Sequence, residues 1–169
     1  MAATYEPIAS TTLGSTSTSV TLSDIPGTYT DLLVVVSGAS NRASINYDGV
    51  TVRFNGDTAS NYSLTRLLGN GSGASSDRES SQTYGLGVSI VSTGTGTAPS
   101  NISFSVMSYA NTSVFKTVLA SSANPGFRVE RTVSLWQSTA AITSLSLTLD
   151  QGSFIVGTVI SLYGIKAAP

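Results

Sequence analysis

The feature that most constrains the fold is a period of two in hydrophobicity, which recurs along most of the chain. Apolar residues alternate with Ser, Thr or Gly in segments such as 83–91, 102–106 and 145–149. Successive side chains of a β-strand point to opposite faces, so each segment predicts a strand with one buried and one solvated face. The density of Gly and Asn disfavours helices. The pattern therefore predicts an all-β fold.

The predicted strands are short and are separated by dipeptides typical of turns. The strands are predicted near 3–13, 17–23, 31–37, 50–54, 61–68, 83–91, 101–109, 113–119, 128–136, 142–149 and 154–165. The turn dipeptides are Pro26-Gly27, Asp48-Gly49, Asn55-Gly56, Asn70-Gly71 and Pro125-Gly126. Many short strands at this spacing indicate a sandwich or barrel. We expect a single antiparallel β-sandwich domain over residues 1–169, jelly-roll-like in topology.

Two low-complexity segments predict long loops. Residues 69–81 and 93–100 are rich in Gly and Ser and lack apolar alternation, although 75–82 has room for one helical turn. Long loops in a compact domain are often functional, so both segments are candidate contact regions.

Two strands lack the alternation because apolar residues occupy both faces. Residues 32–36 are uninterrupted Leu and Val, and 159–165 is nearly as apolar. One face of a sandwich sheet meets the core, so the other needs a second cover from a loop or another subunit. This predicts a homo-oligomer, with a trimer favoured, or docking onto a larger assembly.

Few side chains of this sequence are of the types that act in catalysis. It contains no His and no Cys, and 10% of its residues are charged. A Ser nucleophile needs a base, and Lys116 and Lys166 are the available lysines. The carboxylates lie at or near predicted turns, where Asp bonds to the local backbone. We expect no enzyme, no cofactor and no metal; the weak alternative is a calcium site formed by Asp48, Asn55 and Asp57.

Charge and hydropathy constrain the partners and the location. The net charge is −1 and the arginines are scattered along the sequence. The sequence therefore shows no basic cluster, and we expect no nucleic-acid partner. No apolar run reaches the roughly 20 residues of a membrane-spanning helix. The N-terminus lacks the pattern of a signal peptide. We therefore expect synthesis in a cytoplasm and no membrane partner.

Two places stand out as partner contacts. Trp136 directly follows Leu135, so one of the two side chains points away from the core if the strand is regular. The aromatic side chains, Trp136 included, either pack in the core or contact a partner or a sugar. The N-terminal arm is the other: it is either an ordinary first strand or a docking strand that pairs with an exposed sheet edge. Its residues are Ala2, Ala3, Thr4, Tyr5, Glu6 and Pro7.

Three stretches together resemble small virion structural proteins of tailed bacteriophages, including cyanophages. They are MAATYEPIASTTLGSTSTSVTLSDIPGTYTDLLVVVSG at the start, RFNGDTASNYSLTRLLGNGSGASSDR in the middle and ISLYGIKA at the end. The resemblance implies a virion component of the capsid decoration (cement) or fibre type. Its partners would be the major capsid protein or other virion proteins, and it transfers no active-site residues.

The first functional expectation is a decoration protein that binds and stabilises the assembled head. The alternative is a tail or fibre module that recognises host surface carbohydrate. In that case exposed aromatic side chains would stack on sugars, and nearby polar groups would hydrogen-bond to them. The expected glycan contacts are Asp57, Asn61, Tyr62 and Arg66, with Tyr84, Tyr109 and Trp136 as further stacking residues.

Overall fold

The computed structural model describes residues 4–93 and 99–166, and these residues form strands and turns without any helix. The twelve strands are β1 (Tyr5–Thr12), β2 (Ser19–Leu22), β3 (Asp31–Gly38), β4 (Tyr47–Phe54), β5 (Tyr62–Gly69), β6 (Ala74–Gln82), β7 (Gly85–Val91), β8 (Ser100–Met107), β9 (Lys116–Asn124), β10 (Arg128–Trp136), β11 (Leu145–Leu149) and β12 (Val159–Ile165). All pair antiparallel, in sheets of eight and four strands. The predicted all-β sandwich is confirmed.

The strand order is that of a jelly roll with two inserted hairpins. The larger sheet has the order β1-β12-β3-β8-β9-β10-β5-β6, and the smaller has β2-β11-β4-β7. Strands β1, β12, β3 and β8 face the four strands of the small sheet, which gives the two four-stranded sheets of a jelly roll. The hairpins β5–β6 and β9–β10 continue the larger sheet beyond β8. We call β1, β12, β3 and β8 the jelly-roll half, and β9, β10, β5 and β6 the extension.

The hydrophobic core lies between the jelly-roll half and the small sheet. Alternate residues of the facing strands point into it and are buried. They include Leu32, Val34, Val36, Ile102, Phe104, Val106, Ile160 and Leu162 from the larger sheet, and Val50, Val52, Phe54, Leu145 and Leu147 from the smaller. Burying one such side chain contributes about 1.5–3 kcal/mol, so this layer positions everything else.

The edge strand β7 is held by side chains of the larger sheet. Five of its backbone groups bond to side chains of β5, β8, β9 and β10. The pairs are Leu86 N with Ser134 Oγ, Gly87 O with Arg66 Nη1, Ser89 N with Glu130 Oε2, Ser89 O with Ser122 Oγ, and Val91 N with Ser100 Oγ. Buried backbone groups need partners, so this edge requires polar side chains opposite it.

Residues 69–81, predicted as a loop, mostly form strand β6. The turn occupies Asn70 to Gly73, where Asn70 Oδ1 accepts hydrogen bonds from the backbone N–H groups of Ser72 and Gly73. Strand β6 is an edge strand whose residues are mostly exposed. Without a buried face it carries no hydrophobic alternation, so the prediction was wrong. Of the second predicted loop, residues 94–98 lie outside the described part of the chain.

Two other expectations concern the start of β9 and the covering of the outer face of the apolar strands by another subunit. Strand β9 begins at Lys116 rather than near 113, after a turn in which Asn111 Oδ1 accepts the Ser113 N–H. On the outer face, Leu33, Val35 and Tyr163 are half-buried, and the predicted homo-oligomer stays a prediction. No helix among the described residues is long and apolar enough to cross a membrane.

Candidate functional site

The outer face of the extension exposes aliphatic side chains where a solvated sheet face would carry polar ones. On β10, Glu130, Thr132 and Ser134 point inward and are buried, whereas Val129 and Val133 point outward and are 62% and 44% exposed. This is the reverse of the usual arrangement in a sheet with one solvated face. Glu130 and Ser134 point inward because they accept hydrogen bonds from backbone groups of the β7 edge.

The exposed aliphatic residues are neighbours across three strands. Leu119 of β9 lies directly opposite Val133 of β10, and Leu67 of β5 lies opposite Arg131, two residues from Val133. A shallow groove of about 440 Å³ runs between them. We call this surface, formed by Leu67, Leu119, Val129 and Val133, the outer patch. Exposed apolar surface of this kind marks interaction sites.

The charge on the outer face of the extension has one sign. Arg131 and Arg78 lie on this face, opposite Leu67 and Thr65 respectively. The carboxylates of the four extension strands are Asp77, Glu79 and Glu130, and all three bond on the inner side. The outer face of the extension is therefore apolar and cationic.

A buried ionic network ties the extension to β7. Glu130 Oε2 accepts hydrogen bonds from the Ser89 N–H at 2.6 Å and the Ser89 hydroxyl at 2.7 Å. The Arg128 guanidinium lies 3.1 Å from Glu130 Oε1 and 3.6 Å above the ring of Tyr47. With Glu130 fully buried, loss of one partner leaves an uncompensated charge, which is strongly destabilising.

A polar cleft of about 310 Å³ lies on the other side of this network. Strand β4 and the turn after β11 form one wall, and β5, β6 and the start of β7 form the other. Its chemically distinctive residues are Arg42, Tyr47, Glu79, Tyr84, Arg128 and Asp150. Sequence reasoning missed it, because Glu79 fell in a predicted loop and Asp150 was interpreted as a turn residue.

The cleft holds a carboxylate without a hydrogen-bond donor. Asp150 lies against Gly49, where a Cβ would overlap its carboxylate, and no hydrogen bond from another described side chain or backbone group reaches that carboxylate. Burial, reinforced by the negative charges of Asp48 and Glu79, raises the pKa of Asp150, and Arg42 partly offsets this. Across the cleft, the Tyr84 hydroxyl donates to Glu79 Oε2 at 3.2 Å.

Three of the four predicted glycan contacts meet in a structural cluster instead of an open site. Trp136 Nε1 donates to Asp57 Oδ2 at 2.7 Å, and Asn61 Nδ2 donates to the same oxygen at 2.8 Å. Tyr62 and Trp136 are 1% and 2% exposed. The expectation that these two rings are exposed was wrong, because both pack on Phe54 in the core.

The hydrogen bonds of this cluster also change the pKa of the Asp57 carboxylate. The Asn61 amide, the Ala59 N–H and the Trp136 indole lower the pKa of Asp57 against the opposing effect of burial. Burial raises the pKa of Tyr62 to about 12. Asp57 therefore holds the loop before β5 against the core.

The remaining aromatic and basic candidates lie in different parts of the structure. Tyr109 is fully buried and its hydroxyl donates to the Pro26 carbonyl, so its predicted exposure was also wrong. Tyr84 is partly exposed and lines the cleft. Arg66 lies in the cleft wall, where Nε and Nη2 bond to Asp77 at 3.2 and 2.5 Å. Of the pair at the end of β10, Leu135 is the residue that points outward.

The N-terminal arm is an ordinary first strand where the structure describes it. Tyr5, Glu6 and Pro7 belong to β1 and pair with β12, and Glu6 forms an ion pair of 2.8 Å with Lys166. Thr4 is exposed and its carbonyl accepts the Lys166 N–H at 3.4 Å. Ala2 and Ala3 lie outside the described residues. Tyr5, 54% exposed on an edge strand, keeps a docking role open as a prediction.

The residues of the weak calcium alternative do not meet. Asp48 and Asn55 lie at opposite ends of β4, on the order of 20 Å apart at about 3.3 Å per strand residue. The Asp48 carboxylate accepts bonds from Ser40 Oγ and Gly152 N. Within residues 4–93 and 99–166, no group of three or more metal-ligating side chains occurs.

One serine and lysine pair has a spacing known from hydrolases. Ser113 precedes Lys116 by three residues, the Ser-x-x-Lys spacing. Lys116 is fully buried, and its Nζ donates to the carbonyl groups of Asn111, Val114 and Thr139 at 2.5, 2.8 and 3.2 Å. Its three donor positions are therefore used to close a turn, and this geometry does not present a base to the Ser113 hydroxyl.

Comparisons with known proteins give only distant structural similarity. No protein-family model matches the chain, and no curated protein matches its sequence. Among solved structures, an exo-inulinase from Aspergillus awamori matches 95% of this chain with a TM-score of 0.46 and 14% identity. The chain spans 29% of the length of that chain. A likeness at this level carries no argument about activity.

Proposed function

We propose that this chain is a structural protein of a bacteriophage virion, a decoration (cement) protein that binds the assembled capsid head and stabilises it. The observation that supports this most directly is the outer patch. Two valines and two leucines that the core does not need are held outward on a rigid sheet, beside two arginines. Such a surface suits a partner that is apolar with acidic groups at its rim.

The stabilisation works through mass action. A protein that binds the assembled shell and not its separated subunits favours the shell by RT ln(1 + [L]/Kd), about 2.7 kcal/mol per site at a hundredfold excess over Kd. Rigid strands lose little conformational entropy on docking, and Ser and Thr around the patch have few rotamers to lose. Contacts that bridge neighbouring capsid subunits would resist outward pressure on the shell.

Conservative substitutions on the outer patch test this function. Val129→Thr and Val133→Thr keep the branched shape and strand preference while adding a hydroxyl to each exposed position. The matched control is Val156→Thr, because Val156 is 57% exposed but lies in the turn before β12. Sedimentation with emptied heads should show loss of binding for the doubly substituted protein and full binding for the control. Equal binding by both would exclude the outer patch as the docking surface.

The copy number per virion tests the location. A decoration protein should be stoichiometric with the major capsid protein or a simple fraction of it, by quantitative mass spectrometry of purified particles. A handful of copies per particle would contradict the capsid assignment.

A tail or fibre module that recognises host carbohydrate is the second candidate function, and the polar cleft is the observation that favours it. Such a protein should bind intact host cells, be present in few copies and form trimers. Binding to intact host cells, together with the copy number, separates this function from capsid decoration.

A further inference from the structure

We infer that the polar cleft between β4 and the β5–β6 hairpin binds a neutral saccharide, with Asp150 and Arg42 as the principal hydrogen-bonding residues. This site shares Arg66 and Tyr84 with the residues predicted from the sequence, whereas the predicted Tyr62, Tyr109 and Trp136 are buried elsewhere. It bears on the second candidate function, and its failure would leave docking through the outer patch untouched.

The shape of the cleft fits a ligand of one or two sugar rings. Its volume of about 310 Å³ lies at the lower end of the range for small-molecule sites, which is roughly 300–1,000 Å³. Gly49 and Gly87 are among the lining residues, so part of the cleft surface is backbone. The Glu130 network joins β7 to Arg128, which stacks on Tyr47 of β4, and Arg66 of β5 donates to the Gly87 carbonyl of β7. The walls are therefore joined without a ligand, and the cleft is preformed.

The cleft offers both a hydrogen-bond acceptor and hydrogen-bond donors that a ligand could use. The Asp150 carboxylate has acceptor positions that no described donor fills. Arg42 makes long contacts, 3.5 Å to the Tyr47 carbonyl and 3.6 Å to Asp48, with its side chain 28% exposed. Its guanidinium therefore keeps donors for a ligand. A carboxylate that accepts beside a guanidinium that donates matches adjacent hydroxyl groups, each of which does both.

The charge of the cleft disfavours anionic ligands. Arg66 is already paired with Asp77 and Arg128 with Glu130. Arg42 lies 3.6 Å from the Asp48 carboxylate, and Glu79 lies 4.0 Å from Arg66. Among the described residues of the cleft, Asp150 is therefore the carboxylate without an ion pair, and the accessible charge is negative. A phosphate or sulfate group would meet the Asp150 carboxylate without a free pair of cations. A polyhydroxylated neutral molecule meets no such repulsion, and the ring of Tyr84 provides an apolar wall for its C–H face.

Saturation-transfer NMR on the full chain tests the inference. The probes are glucose, galactose, mannose, xylose and their disaccharides, with glucuronic acid as the anionic counterpart. We expect binding of at least one neutral probe, with an affinity reduced at least about tenfold in Asp150→Asn and in Arg42→Gln. A tenfold loss is what removal of a single hydrogen bond to a charged group produces. Glucuronic acid should bind more weakly than the neutral probe.

The matched control is Asp24→Asn, which removes a carboxylate from an exposed turn outside the cleft. Asp24 has a φ of 57°, a conformation that Asn adopts readily. The control should bind like the wild type. Because Arg42→Gln removes the ion-pair partner of the buried Asp48, the binding of all variants is measured well below their thermal midpoints. Absence of binding by every neutral probe would overturn the inference. So would equal affinity of Asp150→Asn, Arg42→Gln and the wild type.

Discussion

Strands β8 and β10 belong to the same sheet, and both alternate apolar with polar residues. The apolar residues of β8 point into the core, whereas the valines of β10 point outward. In β8, Ile102 and Phe104 point into the core and the serines between them point outward. In β10, the buried inward positions include Glu130 and Thr132, and the valines point outward. The difference lies in what each strand faces. Strand β8 faces the apolar small sheet, whereas β10 faces the backbone edge of β7.

This contrast shows that buried backbone groups opposite a strand influence which of its side chains point inward. A shift of one residue would turn the valines of β10 inward, but it would also turn Arg131 inward and Trp136, which is 2% exposed, out of the core. It would also remove the side chains that bond to Leu86 and Ser89 of β7. Each buried backbone group left without a partner costs about 1–3 kcal/mol. The hydrogen bonds to β7 and the burial of Trp136 therefore fix the orientation of β10, and the outer patch is the consequence.

The largest expected effect comes from removing the centre of the polar inner face. Glu130→Leu leaves the Arg128 charge and the Ser89 N–H without their partner, so the free energy of unfolding should fall by about 3–5 kcal/mol. Urea denaturation followed by circular dichroism measures it. Glu130→Gln, which keeps an acceptor for Ser89, is the control and should lose less. A Leu variant as stable as the wild type would mean that the inner face of β10 has no need of polarity.

A pair of opposite isosteric substitutions sharpens the comparison. Val34→Thr places a hydroxyl in the fully apolar layer of the jelly-roll half and should cost about 1–3 kcal/mol. Thr132→Val on the inner face of the extension should instead be neutral or stabilise by up to about 1 kcal/mol, because the buried Thr132 Oγ1 has no hydrogen-bond partner. The thermal midpoint should then fall in Val34→Thr and stay the same or rise in Thr132→Val. Movement in the same direction would contradict the assigned environments.

Acid should affect the extension through Asp57. Its folded-state pKa is lowered, so its contribution to stability is present above the unfolded value near 3.9 and is lost as the pH falls through the folded value. Asp57→Asn should therefore cost about 1–2 kcal/mol near pH 6, reduced by the partial exposure of Asp57, and much less near pH 3. Trp136 is the single tryptophan of the chain and bonds directly to Asp57, so its fluorescence measures the unfolding. A cost independent of pH would contradict a role for the carboxylate charge.

The fold class could be predicted from the sequence because alternation and turn dipeptides report local geometry. The orientation of β10 could not, since period-two alternation is identical for either face and the deciding partner, β7, is distant along the chain. Strand β6 was missed for a related reason: both of its faces are largely solvated. The cleft combines Arg42, Glu79 and Asp150 from separate elements, and each of them alone looks like an ordinary surface residue.

The smallest expected effect tests whether the outer patch is free in the isolated protein. Surface substitutions that disturb no contact change stability by less than about 0.5 kcal/mol. Val129→Thr and Val133→Thr should therefore unfold at the same urea concentration as Val156→Thr, even though the first two impair docking. If instead they lose more than about 1 kcal/mol, the patch is already covered in solution. Wild-type stability would then rise with protein concentration, and the occupant of the outer patch would be a second copy of this chain rather than the capsid.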